Sequence, residues 1–475
     1  ITSVNGVYRS VWTAGWSTTA NTHQCFGIAA YNLALDCMAD DLIMQSQGNG
    51  WFWGDHCYNV KSNYTSSAFR SYDVWYANYK WIANVNYIID AEPEMAGTEA
   101  DVAYVAGQAY AIRALCYLNL ATWFSRAPYN SLTGASRWNE PCVPVYTTGT
   151  SIDTGGQPRE SLRTVYGRID QDIDRAIELL EKARETTLAE NNKSHINLYV
   201  ALGIKSRACL AEGDWDGAFK AAKRVIDEGG YAVGTKSDLT GGMNSLDKQN
   251  VMWGAGIQVA DQAGGYAGFF THMDNKEGAY AKSAPKLISK QLYNRISATD
   301  IRRDWWDPSD KESPYVSKKF SFANVASFLG DYIYMRVEEM YFTAAEAALR
   351  LDDLKSAREL MNTVMAERDP GYSANNRSGT LLGATTTTWT GSFLENILTH
   401  RRIELWGEYG RLFDVRRLGQ GIDRRTDDGF SEECISMMNR RNVNITKADT
   451  YDWVLTIPKA ELDANPNINE EDQNP

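Results

Sequence analysis

Small and apolar residues recur at helical spacing in two neighbouring runs, residues 332–350 and 354–368. The residues that share a face are Met340, Ala344, Ala347 and Ala348 in the first run, and Ala357, Leu360, Met361 and Val364 in the second. Small side chains let two antiparallel helices approach closely, and Asp369-Pro370-Gly371 ends the second run because proline lacks a backbone donor. The pattern therefore predicts a helical hairpin.

A second hairpin is predicted over residues 195–211 and 215–227, which are rich in alanine and joined by Gly213-Asp214. This pair is similar to a tetratricopeptide unit, although the pairs along the chain follow no strict 34-residue period. Long helices are also predicted over 72–89 and 98–124.

One face of the predicted helix over 72–89 carries Trp75, Tyr79 and Ile82, which we interpret as core residues. Short strands are predicted at 251–254 and 315–320.

The chain is predicted to be mostly α, as a single domain over 1–475. The helical scaffold comprises residues 1–46, 67–228 and 331–420. The loop-rich parts, with short β strands, comprise residues 47–66, 229–330, 371–392 and 421–475.

Composition narrows the class of protein. The chain has 475 residues, of which 43% are hydrophobic, so it can bury a sizeable core. A net charge of −12 argues against nucleic acid and against an anionic membrane surface as partners. The longest apolar stretch, 102–124, is interrupted by Gln108, Arg113 and Asn119, so no transmembrane helix is predicted.

The seven cysteines lie far apart and have no zinc-binding spacing. Several, such as Cys116 and Cys209, are interpreted as small buried apolar residues. No disulfide framework is predicted, and a single pair among Cys25, Cys37 and Cys57 is left open.

Aromatic residues crowd three glycine- or threonine-rich loops. The candidate glycan-binding rings are Trp51, Trp53, Tyr58 and Tyr64 in the first loop, Tyr266, Phe269 and Phe270 in the second, and Trp389 in the third. Polar residues are interleaved with these rings. Such loops suit sugars, because the apolar face of a pyranose stacks on a ring while its hydroxyls need fixed donors and acceptors. The alternative is that the rings pack onto the core.

Catalytic and phosphate-binding motifs are absent from the sequence. We therefore assign no catalytic residues, no metal ligands and no cofactor. The aspartate-rich loops permit a bound calcium ion without requiring one. The 60 carboxylates leave a glycosidase acid/base pair open, although none stands in a recognisable motif.

Residues 395–419 carry the most specific pattern in the chain. The segment resembles the C-terminal signature of the SusD/RagB family, through Arg401, Arg402, Glu404, Leu405, Gly410, Arg411, Asp414 and Arg417. His400 departs from the pattern, since the family more often has glutamate there. We interpret the charged residues of this segment as partly buried ion pairs that lock the helix to its neighbours.

The resemblance implies a cell-surface lipoprotein of Bacteroidota that captures glycans for a partner SusC-like TonB-dependent transporter. It implies a tetratricopeptide-like scaffold of helical hairpins, and a lipid anchor outside the given chain. It also implies that Asp41, near the end of a second predicted helix over roughly residues 23–45, faces the ligand surface. The alternative for Asp41 is a solvated carboxylate at a helix end.

The leading hypothesis is therefore a non-catalytic protein that binds an oligosaccharide or polysaccharide and delivers it to the transporter. One alternative is a helical-repeat adaptor for a peptide or protein. The other, less favoured, is an α-helical glycoside hydrolase.

Overall fold

The computed structural model describes residues 1–12, 22–58, 69–189, 192–259, 267–448 and 450–475. The α-helices are α1 (Thr2–Trp12), α2 (Ile28–Met38), α3 (Trp53–His56), α4 (Phe69–Asp90), α5 (Glu99–Phe124), α6 (Leu162–Lys182), α7 (Leu198–Glu212), α8 (Trp215–Glu228), α9 (Lys236–Thr240), α10 (Phe269–Met273), α11 (Ala279–Ser283), α12 (Lys290–Tyr293), α13 (Val337–Arg350), α14 (Leu354–Ala366), α15 (Phe393–Glu404), α16 (Arg411–Leu418), α17 (Glu432–Arg440) and α18 (Lys459–Ala464). The strands are β1 (Leu42–Ile43), β2 (Val251–Ala255), β3 (Leu287–Ile288), β4 (Trp306–Asp307), β5 (Val316–Ser317) and β6 (Tyr332–Arg336). The predicted mostly helical class is confirmed.

Helices α4 to α8 form the scaffold and pack in chain order, each against the next. Polar side chains fix where these helices begin, because they accept hydrogen bonds from backbone N–H groups that have no partner within the helix. Thr98 accepts from the Asp101 N–H at the start of α5, and Ser161 accepts from the Thr164 N–H at the start of α6. Asn197 caps α7 in the same way.

Both predicted hairpins are confirmed. The turn between α7 and α8 passes through Gly213 at a φ of 76°, a left-handed conformation that glycine adopts without strain. The turn between α13 and α14 ends at Asp353, whose side chain accepts from the Ser356 N–H. Helix α13 also packs against α8, so the two hairpins share one core.

The predicted helix from residue 332 was wrong in its first turn, because residues 332–336 form β6 and the helix begins at Val337. Strand β6 pairs antiparallel with β2, and Val251 lies opposite Arg336. A segment of only five residues is too short for its hydrophobic pattern to distinguish a helix from a strand. The strand predicted at 251–254 is confirmed as β2. The strand predicted at 315–320 was too long, because β5 covers only Val316–Ser317. Strand β5 lies within a second antiparallel sheet of order β1-β3-β5-β4.

Two further observations concern the chain as a whole. No helix among the described residues is long and apolar enough to cross a membrane. All seven cysteines are buried free thiols, including Cys25, Cys37 and Cys57.

The α13–α14 hairpin, α15 and the loop-rich part meet at a buried group of ion pairs centred on the Glu404 carboxylate, here called the Glu404 network. Glu404 accepts hydrogen bonds from three guanidinium groups, with N–O distances of 3.1 Å to Arg302, 3.0 Å to Arg336 and 2.9 Å to Arg368. The other members of the network are Glu338, Glu408, Asp300 and Lys319. Burial alone would raise the pKa of Glu404, but the three arginines outweigh it and hold the pKa well below its usual range.

His400 lies inside this network, where the family pattern more often has glutamate. Its Nδ1 lies 2.8 Å from Nη2 of Arg302. Burial, followed by the charge of Arg302, lowers the pKa of His400 well below its usual value. A neutral imidazole therefore accepts from Arg302, while Asp300 and Glu404 supply the negative charge.

The remaining signature residues are also structural. Asp414 bridges Arg401 and Arg417 at 2.7 Å each, and Arg417 reaches Glu346 of α13 at 2.8 Å. The sequence-based interpretation of these charges as ion pairs between helices is confirmed.

We expect Glu404→Gln to lower the free energy of unfolding by about 3–5 kcal/mol, because it leaves three buried arginines short of a carboxylate. Urea denaturation followed by circular dichroism would measure the loss. Glu359→Gln is the control, since Glu359 and its partner Lys355 are exposed and such surface changes stay within about 0.5 kcal/mol. Equal effects of the two substitutions would contradict the structural role of Glu404.

Candidate functional site

Asp41 is a buried ion-pair partner in this structure. Only 2% of its surface is exposed, and its carboxylate accepts from Arg402, with Nη2–Oδ1 at 2.6 Å and Nε–Oδ2 at 3.0 Å. The neighbouring Asp40 is bonded to both Arg402 and Arg411 at 3.1 Å. The solvated alternative for Asp41 was therefore wrong, because its carboxylate is buried and paired with Arg402 and Arg411.

Trp389 lies against the same arginine. Its ring is half-buried, with the guanidinium carbon of Arg295 3.8 Å from the ring centroid and that of Arg402 at 5.4 Å. Asp41 and Trp389, which are far apart in sequence, are thus brought together through Arg402. Cation–π contacts of this kind hold an aromatic ring in a fixed orientation.

Of the three predicted rings of the first loop that the structure describes, Trp51 is the one that stays partly exposed. It stacks on His23, with ring centroids 4.8 Å apart and planes only 8° from parallel. Tyr280 of α11 meets both rings edge-on, at 5.5 Å from His23 and 6.0 Å from Trp51. We call these three residues, together with His272, the Trp51 platform.

His272 is the fully buried member of the platform. Its Nε2 donates to the backbone oxygen of His23 at 2.6 Å, and the Tyr280 hydroxyl hydrogen-bonds to Nδ1 of His23. Burial, followed by the charge of Lys286, lowers the pKa of His272 well below its usual value, so the imidazole is neutral. The partly exposed Trp51 therefore packs against rings that are themselves held by hydrogen bonds.

The other predicted rings of the first two loops lie in the core. Trp53 and Tyr58 are buried, and the Tyr58 hydroxyl donates to the Met38 carbonyl at 2.8 Å. Phe269 and Phe270 are buried against other aromatic rings. In this conformation these four residues offer no exposed ring face, which favours the packing alternative for them.

Tyr64 and Tyr266 lie outside the described residues. Ala267, which follows Tyr266, leads directly into α10, the helix that contributes His272 to the Trp51 platform.

A cleft of about 760 Å³ opens beside α11, on which Tyr280 lies. Eight of its 17 lining residues are charged, among them Lys276, Glu277, Lys282, Asp307 and Asp310. Among the described residues, no group of three or more His, Cys, Asp or Glu side chains is placed to hold a metal ion.

The sequence analysis missed three members of the Trp51 platform, which are His23, His272 and Tyr280. His23 and Tyr280 lie outside the three aromatic loops on which the sequence analysis concentrated. A signal did exist, because His272 stands in the same glycine-punctuated aromatic loop as Phe269 and Phe270.

Two family models match this chain. One, described as the SusD family, matches residues 279–475, and the other, described as starch-binding proteins associating with the outer membrane, matches residues 23–210. The chain belongs to the SusD family. Because SusD-like proteins bind carbohydrate without catalysis, the prediction that this chain is not an enzyme is confirmed.

Solved structures of SusD-like proteins share this fold. A SusD-like carbohydrate-binding protein from Bacteroides vulgatus is 25% identical, with 99% of this chain and 96% of that chain covered and a TM-score of 0.77. A SusD superfamily protein from Bacteroides thetaiotaomicron is 22% identical, with 100% of this chain and 98% of that chain covered, and its TM-score is also 0.77.

A more distant structure is surface glycan-binding protein A from Bacteroides thetaiotaomicron, in complex with laminarihexaose. It is 16% identical, with 100% of this chain and 98% of that chain covered and a TM-score of 0.64. No curated protein sequence matches this chain.

The pairing of Asp40 with two arginines predicts an acid-sensitive contribution to stability. Burial raises the pKa of Asp40, but Arg411 and Arg402 outweigh it and lower the pKa to about 2, against about 3.9 in an unfolded chain. Asp40 therefore stabilises the fold above about pH 4, and this contribution is lost as pH falls towards 2.

We expect the difference in unfolding free energy between wild type and Asp40→Asn to shrink by about 2–3 kcal/mol from pH 5 to pH 2. Denaturation in urea at each pH would measure it. Asp463→Asn, which alters an exposed carboxylate of α18, is the matched control. A difference that stays constant with pH would contradict the assignment.

Proposed function

We propose that this SusD-family protein binds glycans without catalysis, with Trp51 as its main stacking surface. The observation that carries the proposal is the parallel stack of a partly exposed Trp51 on His23, with Tyr280 edge-on to both. A ring held in this way loses little conformational freedom when a sugar stacks on it. The apolar face of a pyranose and the flat face of an indole are complementary in shape.

A sugar site also needs polar groups for the hydroxyls of the ligand. The cleft beside α11 presents both carboxylates and ammonium groups, and sugar hydroxyls can donate to the first and accept from the second. Trp389 and Asp41 stay in the proposal as a second region organised by Arg402. Tyr64 and Tyr266 remain predictions.

Known relatives support the choice of ligand class. The similar structure from Bacteroides vulgatus is described as a carbohydrate-binding protein. A laminarin-binding SusD-like protein is 17% identical with a TM-score of 0.69, and the Bacteroides thetaiotaomicron protein holds laminarihexaose. A β-glucan is therefore a rational first ligand to test, beside starch.

We further propose that the protein delivers its glycan to a SusC-like TonB-dependent transporter, and that it is held at the outer membrane by a lipid anchor. Both parts of this proposal rest on the family resemblance. Co-purification of a SusC-like transporter with this chain from the native bacterium would test the first part, and radiolabelled fatty-acid incorporation in the same bacterium would test the second.

We expect Trp51→Ala to weaken glycan binding by about 10- to 100-fold, because burying a large aromatic side chain is worth about 1.5–3 kcal/mol. Affinity electrophoresis against laminarin, starch and a panel of host and plant polysaccharides would measure the retardation. Reducing-end assays should detect no hydrolysis.

Trp138→Ala is the matched control, since Trp138 is also half-buried but packs against Tyr166 of α6. Unchanged retardation of Trp51→Ala by every polysaccharide that retards the wild type would refute the role of Trp51.

A further inference from the structure

A second aromatic pocket opens between α4, the segment 146–154 and α18. Its volume is about 460 Å³, within the range of about 300–1,000 Å³ that is usual for small-ligand sites. The aromatic walls are Trp75, Tyr76, Tyr79 and Tyr146. Trp75 and Tyr79 have ring centroids 4.9 Å apart, and Tyr146 meets Tyr79 edge-on at 5.9 Å.

The carboxylate of Glu461 lies in the same pocket and is held in place by two neighbours. Trp75 Nε1 donates to Oε2 at 3.2 Å, and Asn465 Nδ2 donates to Oε1 at 2.8 Å. A carboxylate can accept about four hydrogen bonds, so Glu461 keeps capacity for a ligand. Thr150, Ser151 and Thr154 also line the pocket.

The charges of the pocket decide the class of ligand. Glu461 disfavours an anion. A cation is disfavoured in turn by Lys80, whose ammonium lies 5.5 Å from the centroid of the Tyr76 ring. Aromatic walls with one fixed acceptor and several hydroxyls instead match a neutral, hydroxyl-rich ring.

This pocket shares no residue with the Trp51 platform. Its walls come from α4, α18 and the segment between α5 and α6, whereas the platform comes from residue 23, the loop before α3, α10 and α11. Substitutions in the pocket therefore leave the residues of the Trp51 platform unchanged, and the reverse also holds.

The geometry points to a second saccharide site, in which a neutral pyranose stacks against Tyr76 and Tyr146 and donates hydroxyl hydrogen bonds to Glu461. The ligand class rests on the proposed function, but the location does not. Trp75 supports this site by orienting Glu461, and is a positioning residue.

The test is isothermal titration calorimetry of the full chain with laminarihexaose, maltohexaose and cellohexaose. We expect the wild type to bind two molecules of one of these hexasaccharides, and Trp51→Ala and Glu461→Gln to bind one each. The doubly substituted protein should bind none. Tyr76→Ala, which removes a half-buried ring, should weaken the second event about tenfold or more. Asp463→Asn, on the same helix as Glu461, is the control and should behave as the wild type.

The outcomes separate this inference from the proposed function. If the wild type binds one hexasaccharide and Trp51→Ala binds none, the second site is refuted while the proposed function stands. If Trp51→Ala leaves both events unchanged but Glu461→Gln and Tyr76→Ala each remove one, the second site is supported and the role of Trp51 is refuted. Binding of no hexasaccharide by the wild type, or two events in both Glu461→Gln and Tyr76→Ala, would refute the second site.

Discussion

The fold depends on one buried carboxylate that three arginines share. Glu404, at the end of α15, joins Arg302 from the loop-rich part, Arg336 from the end of β6 and Arg368 after α14. Charges taken out of water are tolerated only when they are fully paired. The network therefore fixes the position of the hairpin relative to the loops, and the loops carry the candidate ligand-binding rings.

Much of this fold could be predicted from the sequence, because the scaffold obeys local rules. Alanine spacing and Gly213 predicted the hairpins, and the charged spacing of 401–417 predicted ion pairs between helices. The start of α13 could not be predicted, since residues 332–336 form a strand only because β2 lies beside them. The pairing of β6 with β2 is a tertiary contact, and the sequence of the five residues alone does not reveal it.

The candidate site was less predictable than the fold. A glycine-rich loop full of aromatic residues gives no burial period, so composition alone could not separate Trp51 from its buried neighbours Trp53 and Tyr58. Exposure of a ring is decided by which distant residues cover it. Conversely, Tyr79 was assigned to the core by its helical face, yet it borders a pocket because a polar segment crosses above it.

The Trp51 platform also has a consequence for the order in which the protein is made. His23 and Trp51 emerge early in synthesis, whereas His272 and Tyr280 follow more than two hundred residues later. Contacts over such separations form late, because a long loop must close first. A nascent or truncated chain that ends before α11 can fold its early helices and still lack the assembled platform. The complete platform is thus assembled only after both halves of the chain have come together.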